Sequence, residues 1–285
     1  MAAPLVVGVD DSPPSYRALD WALAESRWRR APLRLVYAAD PRDPLDDTGA
    51  DAAAGRAVAE ETIARSEAYA RTAQPDVDVT SAIGYGDAAG RLVDESTAAA
   101  IVVVGHRGAG GFGSLLAGSV AVQVAGHAHC PVVVVRRPPA GPEPAATTEG
   151  VVVGVDGSPR CEAAAEFAFA EAGLRGVGLT AVQAWYYPVA SGAVRQPAAL
   201  EEAESRRFAG WLAPFEARHP DVAVRRVLTH GEHPTVALVE RSAGAPLLVV
   251  GARGHGGFPG LLLGSVSHAA IHHAACPVAV VHQAA

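Results

Sequence analysis

LVVGVDDSP, running from Leu5 to Pro13, returns as VVVGVDGSP from Val151 to Pro159, with Gly8 matching Gly154 and Asp10 matching Asp156. The same offset of 146 residues carries Leu33–Val36 onto Leu179–Val182, Gly105 onto Gly251, Gly118-Ser119 onto Gly264-Ser265, and Cys130-Pro131-Val132 onto Cys276-Pro277-Val278. One unit is therefore written twice. Between the copies, Arg136 to Gly150 reads RRPPAGPEPAATTEG, rich in Pro and Gly and without apolar periodicity, the composition of an extended connector. The expected domains are residues 1–140 and 150–285, with a linker at about 137–149.

Working outward from the first quoted stretch, Val6–Val9 predicts a buried strand, and Ser12-Pro13 supplies an N-cap and first-turn proline for a helix through Ala18, Trp21 and Ala22. A strand at Leu33–Tyr37, a helix over Ala52–Arg71, a short strand at Val77–Ala82, a helix at Ala88–Ser96 and strands at Ile101–Val104 and Val132–Val135 follow. Strands that are apolar along their whole length have both faces covered, and strands alternating with helices make right-handed crossovers. The fold class is α/β, with five parallel strands in each unit and helices on both faces.

Composition narrows the function. Charged residues make up 19% of the chain and the net charge is −7, which disfavours a standing electrostatic grip on nucleic acid or an anionic membrane. All 23 basic residues are Arg, so a Walker-A lysine and a lysine Schiff base are both excluded. Cys130, Cys161 and Cys276 are too scattered for a disulfide framework or a Cys-x-x-Cys metal site. The N-terminus MAAPLVVGVDDS has no basic and apolar leader pattern, and no apolar run reaches the length of a membrane span, so a cytoplasmic protein is expected.

The chemistry lies after the fourth strand. Gly105-His106-Arg107-Gly108, nine residues, then Gly118-Ser119-Val120 is matched by Gly251-Ala252-Arg253-Gly254, nine residues, then Gly264-Ser265-Val266. Glycines give a backbone that takes positive φ or approaches a ligand closely, and a turn of free N–H groups followed by a helix N-terminus attracts phosphate. In an open parallel sheet, the carboxyl ends of the first and fourth strands flank the crevice where ligands bind.

These residues resemble the universal stress proteins, whose ATP-binding members carry Gly-x2-Gly-x9-Gly-Ser/Thr after strand four and an Asp at the end of strand one. The likeness covers both copies and extends to the closing Cys-Pro-Val strand. It implies two tandem Rossmann-like domains of the adenine-nucleotide-hydrolase kind and an ATP-binding stress-response regulator. It implies dimers through the last strand, which a tandem chain mimics as an internal pseudo-dimer, with a homodimer of whole chains and an unidentified protein partner also open. By position, Asp10 and Asp156 would lie beside ribose and phosphates, where they would hold any Mg2+ carried by the ATP, and Ala38 and Ala184 would lie under the adenine. Gly105, Gly108, Gly118, Ser119 and Val120, with Gly251, Gly254, Gly264, Ser265 and Val266, would cradle the phosphates. Asp11 in place of Gly157 adds a negative charge and Ala121 in place of Ser267 removes a hydroxyl, so the second site is expected to bind better.

Other readings stay open at this level. Arg107 and Arg253 either pair with phosphate oxygens or stand solvated in the loop. His268 and His272, four apart on a helix, present a two-histidine face without the glutamate of a zinc hydrolase, and the first copy has Val122 and Gly126 there. Gly108 to Gly113 matches the dinucleotide fingerprint but follows the wrong strand, and Pro259 breaks it in the second copy. His127 and His273 sit where a helix C-terminus wants a cap, and Cys130 and Cys276 read as small buried residues. Ser119 and Ser265 lack the Gly-x-Ser-x-Gly elbow of an acyl nucleophile. No dedicated base accompanies the turns, so any hydrolysis should be slow. The alternatives to an ATP-binding regulator are a nucleotide-free dimerisation scaffold and an ATP-dependent enzyme of a related α/β class, whose Ser-Gly-Gly-x-Asp-Ser loop is absent.

Overall fold

The computed structural model describes residues 2–39, 50–108, 119–136, 150–185, 197–254 and 262–283. It divides into two compact units, Met1–Arg137 and Pro138–Ala285. In the first, β1 (Leu5–Gly8), α1 (Pro13–Arg29), β2 (Leu33–Ala39), α2 (Ala50–Ala73) and β3 (Val79–Tyr85) are followed by α3 (Ala88–Ser96), β4 (Ile101–Gly105), α4 (Ser119–His127) and β5 (Val132–Val135). The second repeats the order. It has β6 (Gly150–Gly154), α5 (Glu162–Arg175) after a short 3-10 turn at Pro159–Cys161, β7 (Gly178–Trp185), α6 (Pro197–Arg218) and β8 (Val224–His230). It closes with α7 (Pro234–Arg241), β9 (Leu248–Gly251), α8 (Ser265–His273) and β10 (Val278–Val281).

All strand pairs within each unit are parallel, in the order β3-β2-β1-β4-β5 in the first and β8-β7-β6-β9-β10 in the second. The chain steps outward from β1 through β2 to β3, then returns to the far side of β1 as β4. Connections leaving β1 and β4 therefore diverge, which opens a crevice at their carboxyl ends. The same reversal occurs between β6 and β9.

Strand burial explains this layering. Leu5, Val6 and Val7 are all 0% exposed, as are Ile101, Val102 and Val103. Successive residues of a strand face opposite sides, so helices must cover both faces. On α1, Ser12 caps the start by accepting from the Ser15 N–H at 3.3 Å, and Ala18, Leu19, Ala22 and Leu23 form the buried face. Burying each leucine side chain contributes about 1.5–3 kcal/mol. Further along, the fully buried Glu25 pairs with Arg29, and α5 repeats this buried ion pair with Glu171 and Arg175.

The third strand begins later than the sequence predicts. The Val77 N–H donates to the Gln74 carbonyl at 3.1 Å, so Val77 belongs to the turn leaving α2, and pairing with β2 starts at Leu33 opposite Val79. The expected linker at about 137–149 lies outside the described residues. Among the described residues, no helix is long and apolar enough to cross a membrane.

Candidate functional site

Each first strand of a unit ends in an aspartate held by the serine two residues on. The Ser158 N–H and hydroxyl both donate to Asp156 Oδ1, at 2.9 and 2.6 Å, and Ser12 does the same to Asp10 Oδ1 at 3.1 and 2.5 Å. One carboxylate oxygen is thereby committed to the turn and fixes the orientation of the other. The residue between them sits in the left-handed region, at φ 73° for Gly157 and 61° for Asp11. Asp tolerates that region better than most side chains. The Asp11 carboxylate accepts from the Tyr16 hydroxyl at 2.8 Å and pairs with Arg65 at 2.8 Å. Its extra charge is thus partly neutralised locally.

Carboxylate position explains the second glycine of the turn. A Cβ on Gly254 would lie 2.6 Å from Asp156 Oδ2, and one on Gly108 would lie 2.5 Å from Asp10 Oδ2. A methyl group at either position overlaps the carboxylate. The first glycine of the first unit is needed for a different contact, because a Cβ on Gly105 would meet the Pro14 carbonyl at 2.8 Å. Positive φ, one of the two reasons the sequence offers for these glycines, is not the cause at Gly105, Gly108, Gly251, Gly254 or Gly264. The glycines with positive φ among the described residues are Gly86, Gly157, Gly176, Gly231 and Gly244. At Gly105, Gly108 and Gly254 close approach is the governing constraint, and the neighbour that approaches is the protein's own proline or aspartate; at Gly251 a Cβ would lie 3.2 Å from the Arg253 carbonyl, and at Gly264 it would make only ordinary contacts.

In the second unit these parts enclose a cavity of about 500 Å3. Asp156, Ala184, Gly251, Arg253, Gly254, Gly264, Ser265 and Val266 all line it, so the structure brings every predicted site residue of this repeat to one cavity. Val182, Leu238 and Cys161 also line it, the first two adding apolar surface. The sequence reading missed these three. Val182 and Leu238 carry only the ordinary apolar signal of strand and helix, and Cys161 stands where the first copy has Ser15. Burial pushes the Cys161 thiol up to about 11, which keeps it protonated, and it donates to the Ser158 carbonyl at 3.1 Å.

Ser267, expected as a hydroxyl contact, is used by the fold instead. Its Oγ lies 3.0 Å from both the Ala252 and the Gly264 carbonyl oxygens, tying the first turn of α8 to the glycine turn. The Gly264 N–H donates to the same Ala252 carbonyl at 2.8 Å. Gly264 is the N-cap of α8 and brings no side-chain cap, so the first N–H groups of the helix are left for another acceptor.

In the first unit, Asp10 and Gly108 meet as Asp156 and Gly254 do. Ala38 lies near the end of β2 opposite Gly84, and Gly105 and Arg107 follow from β4. Ser119 and Val120 open α4, whereas Gly118 lies outside the described residues, as does the stretch from Ala109 to Gly113 of the apparent dinucleotide fingerprint. Arg107 is half-buried with its Nε lacking a hydrogen-bond partner, and Arg253 is exposed on the cavity wall. His127 Nδ1 lies 2.8 Å from the Gln123 carbonyl in the last turn of α4. The His268 and His272 rings are 4.4 Å apart, and no group of three or more metal-ligating side chains occurs among the described residues. Cys130 and Cys276 are buried, and burial raises the Cys130 thiol to about 11.

Fold and site together define a tandem α/β protein of the doubly wound type, with an acid and a glycine turn meeting at the switch point of each unit. The universal stress protein family matches residues 1–136 and 148–282. The chain belongs to the universal stress protein family, present twice in tandem. It is 35% identical to universal stress protein Rv1996 of Mycobacterium tuberculosis, covering 97% of this chain and 94% of that one. It is 37% identical to Rv2005c of the same organism, covering 98% and 97%. The crystal structure of a universal stress protein from Archaeoglobus fulgidus aligns over 98% of this chain and 96% of its own, with a TM-score of 0.70 at 20% identity.

Proposed function

We propose that this protein is an ATP-binding stress-response regulator whose output is nucleotide occupancy rather than turnover. The carrying observation is the cavity of about 500 Å3 in the second unit, on whose wall the aspartate, the glycine turn and the start of α8 converge. Uncapped N–H groups at a helix start suit phosphates, and the apolar side made by Val182 and Leu238 suits a base. Adenine as that base comes from the family resemblance. Thr229, opposite Ala184 in the sheet register, has a buried hydroxyl without a hydrogen-bond partner, in keeping with a polar ligand edge nearby.

A Mg2+ arriving with ATP fits the donor set. Each unit sets one aspartate against its glycine turn, and Mg2+ is commonly held by one or two carboxylates plus the phosphates themselves. Such an ion would neutralise phosphate charge beside Asp156 or Asp10. Fast hydrolysis is not expected, since Asp156 Oδ1 already accepts two hydrogen bonds from Ser158 and is a poor base for water. The reading places the protein in the cytoplasm, where Cys130, Cys161 and Cys276 stay as thiols.

The test is calorimetric titration of the full chain with ATP, alongside Gly254→Ala. We expect binding by the wild type and about tenfold weaker binding at the second site in the variant, the equivalent of one charge-assisted hydrogen bond. Ligand at ~100 times Kd should also add about 2.7 kcal/mol of apparent stability. A chain that takes up no adenine nucleotide and shows no thermal shift is a scaffold, and the proposal fails.

A further inference from the structure

The first unit gathers cationic side chains at the carboxyl ends of β4 and β5 in a way that the second does not. His106 follows β4, and its backbone N–H donates to the Val135 carbonyl at 3.0 Å, which sets it against the end of β5 beside Arg136. Arg107 is the next residue. Arg17 comes from α1, whose Pro14 packs directly on Gly105. Burial first, and then Arg136, Arg107 and Arg17, hold the His106 ring down to about 4, against the opposing pull of the Val135 carbonyl. At neutral pH an uncharged imidazole therefore stands among three guanidinium groups.

Arg17 Nε, Arg107 Nε and His106 Nδ1 are each buried without a hydrogen-bond partner. Like charges drawn together and polar atoms left unsatisfied both raise the free energy of the empty arrangement. An oxyanion among them would relieve both at once. Nor does the fold require the cluster: Ala163, Ala252 and His282 occupy the positions of Arg17, His106 and Arg136 in the second unit, and only Arg253 is retained. Guanidinium forks suit phosphate oxygens, and several of them match a chain of phosphates rather than a single carboxylate.

We infer that Arg17, His106, Arg107 and Arg136 form an anion site peculiar to the first unit, which takes a multiply charged phosphate-type oxyanion. That anion is either a free inorganic polyphosphate or the terminal phosphates of a nucleotide in the adjoining turn. In the second case the inference rests on the nucleotide-binding proposal.

The experiment is calorimetric titration of the full chain with sodium tripolyphosphate. It compares wild type with the triple variant Arg17→Ala, His106→Ala, Arg136→His, which installs the second unit's own residues. The wild type should bind one more equivalent than the variant, or bind that equivalent about tenfold more tightly, with AMP affinity unchanged. Equal tripolyphosphate binding by the two proteins overturns the inference. Should the variant fail to fold, the reverse exchange decides: Ala163→Arg, Ala252→His and His282→Arg must add an equivalent, and no gain overturns it. Displacement of tripolyphosphate by ATP but not by AMP identifies the nucleotide's own phosphates as the occupant, whereas displacement by neither identifies a free anion. Tripolyphosphate binding in a chain that binds no adenine nucleotide would keep this site and remove the nucleotide proposal.

Discussion

His106 shows how a single substitution between repeats changes local electrostatics. Its counterpart, Ala252, cannot titrate, whereas His106 is buried among Arg136, Arg107 and Arg17 and resists protonation down to about pH 4. The folded value lies below the ordinary 6.5, so the unfolded chain takes up the proton first as the pH falls. The contribution of this ring to stability is therefore complete above about pH 6.5 and is lost progressively towards pH 4. NMR titration of the His106 ring should give a midpoint near 4 in the wild type and a higher one in Arg17→Ala, where one repelling charge is gone. An unchanged midpoint would mean that Arg17 exerts no field on the ring. Arg30 differs from its counterpart in a simpler way. It closes α1 at φ 51°, where Gly176 closes α5 at φ 63°. A side chain in that region costs roughly 1 kcal/mol, so Arg30→Gly should stabilise the first unit by up to about 1 kcal/mol in urea unfolding.

At the scale of elements, the buried pair on the first helix of each unit carries the largest expected effect. Glu171 is fully buried against Arg175, one helical turn away, and Glu25 and Arg29 match them. Removing the carboxylate takes a buried partner from Arg175, and Glu171→Ala should destabilise the protein by about 3–5 kcal/mol in the same assay. A loss below 1 kcal/mol would show that water reaches Arg175. This pair was invisible in the sequence reading, because Glu and Arg four apart on a helix usually form an exposed surface pair. The strands were legible for the opposite reason: LVVG and IVVVG are too apolar to lie anywhere but inside a sheet. The onset of β3 was not legible, since nothing in the Val77–Ala82 pattern reveals that the Val77 N–H is already used by Gln74.

For the whole molecule, duplication made the architecture readable: two copies of one pattern at a fixed offset give two units with the same strand order. The residues that line the second unit's cavity were also legible as a cluster, because a glycine turn at a strand end leaves its glycines in the sequence. Their structural reason was not legible, since a glycine string does not say what comes close to it. For Gly108 and Gly254 it is the aspartate that follows a strand distant in sequence but adjacent in the sheet. Either copy can drift apart from its twin at many positions, as Asp11 and Arg30 have done, yet the acid and the glycine facing it are free to change only as a couple. A lineage that fills the glycine first strains its crevice, while one that first trims the aspartate opens room for a methyl group. Retirement of a redundant pocket in such a duplicated chain should therefore begin at the acid.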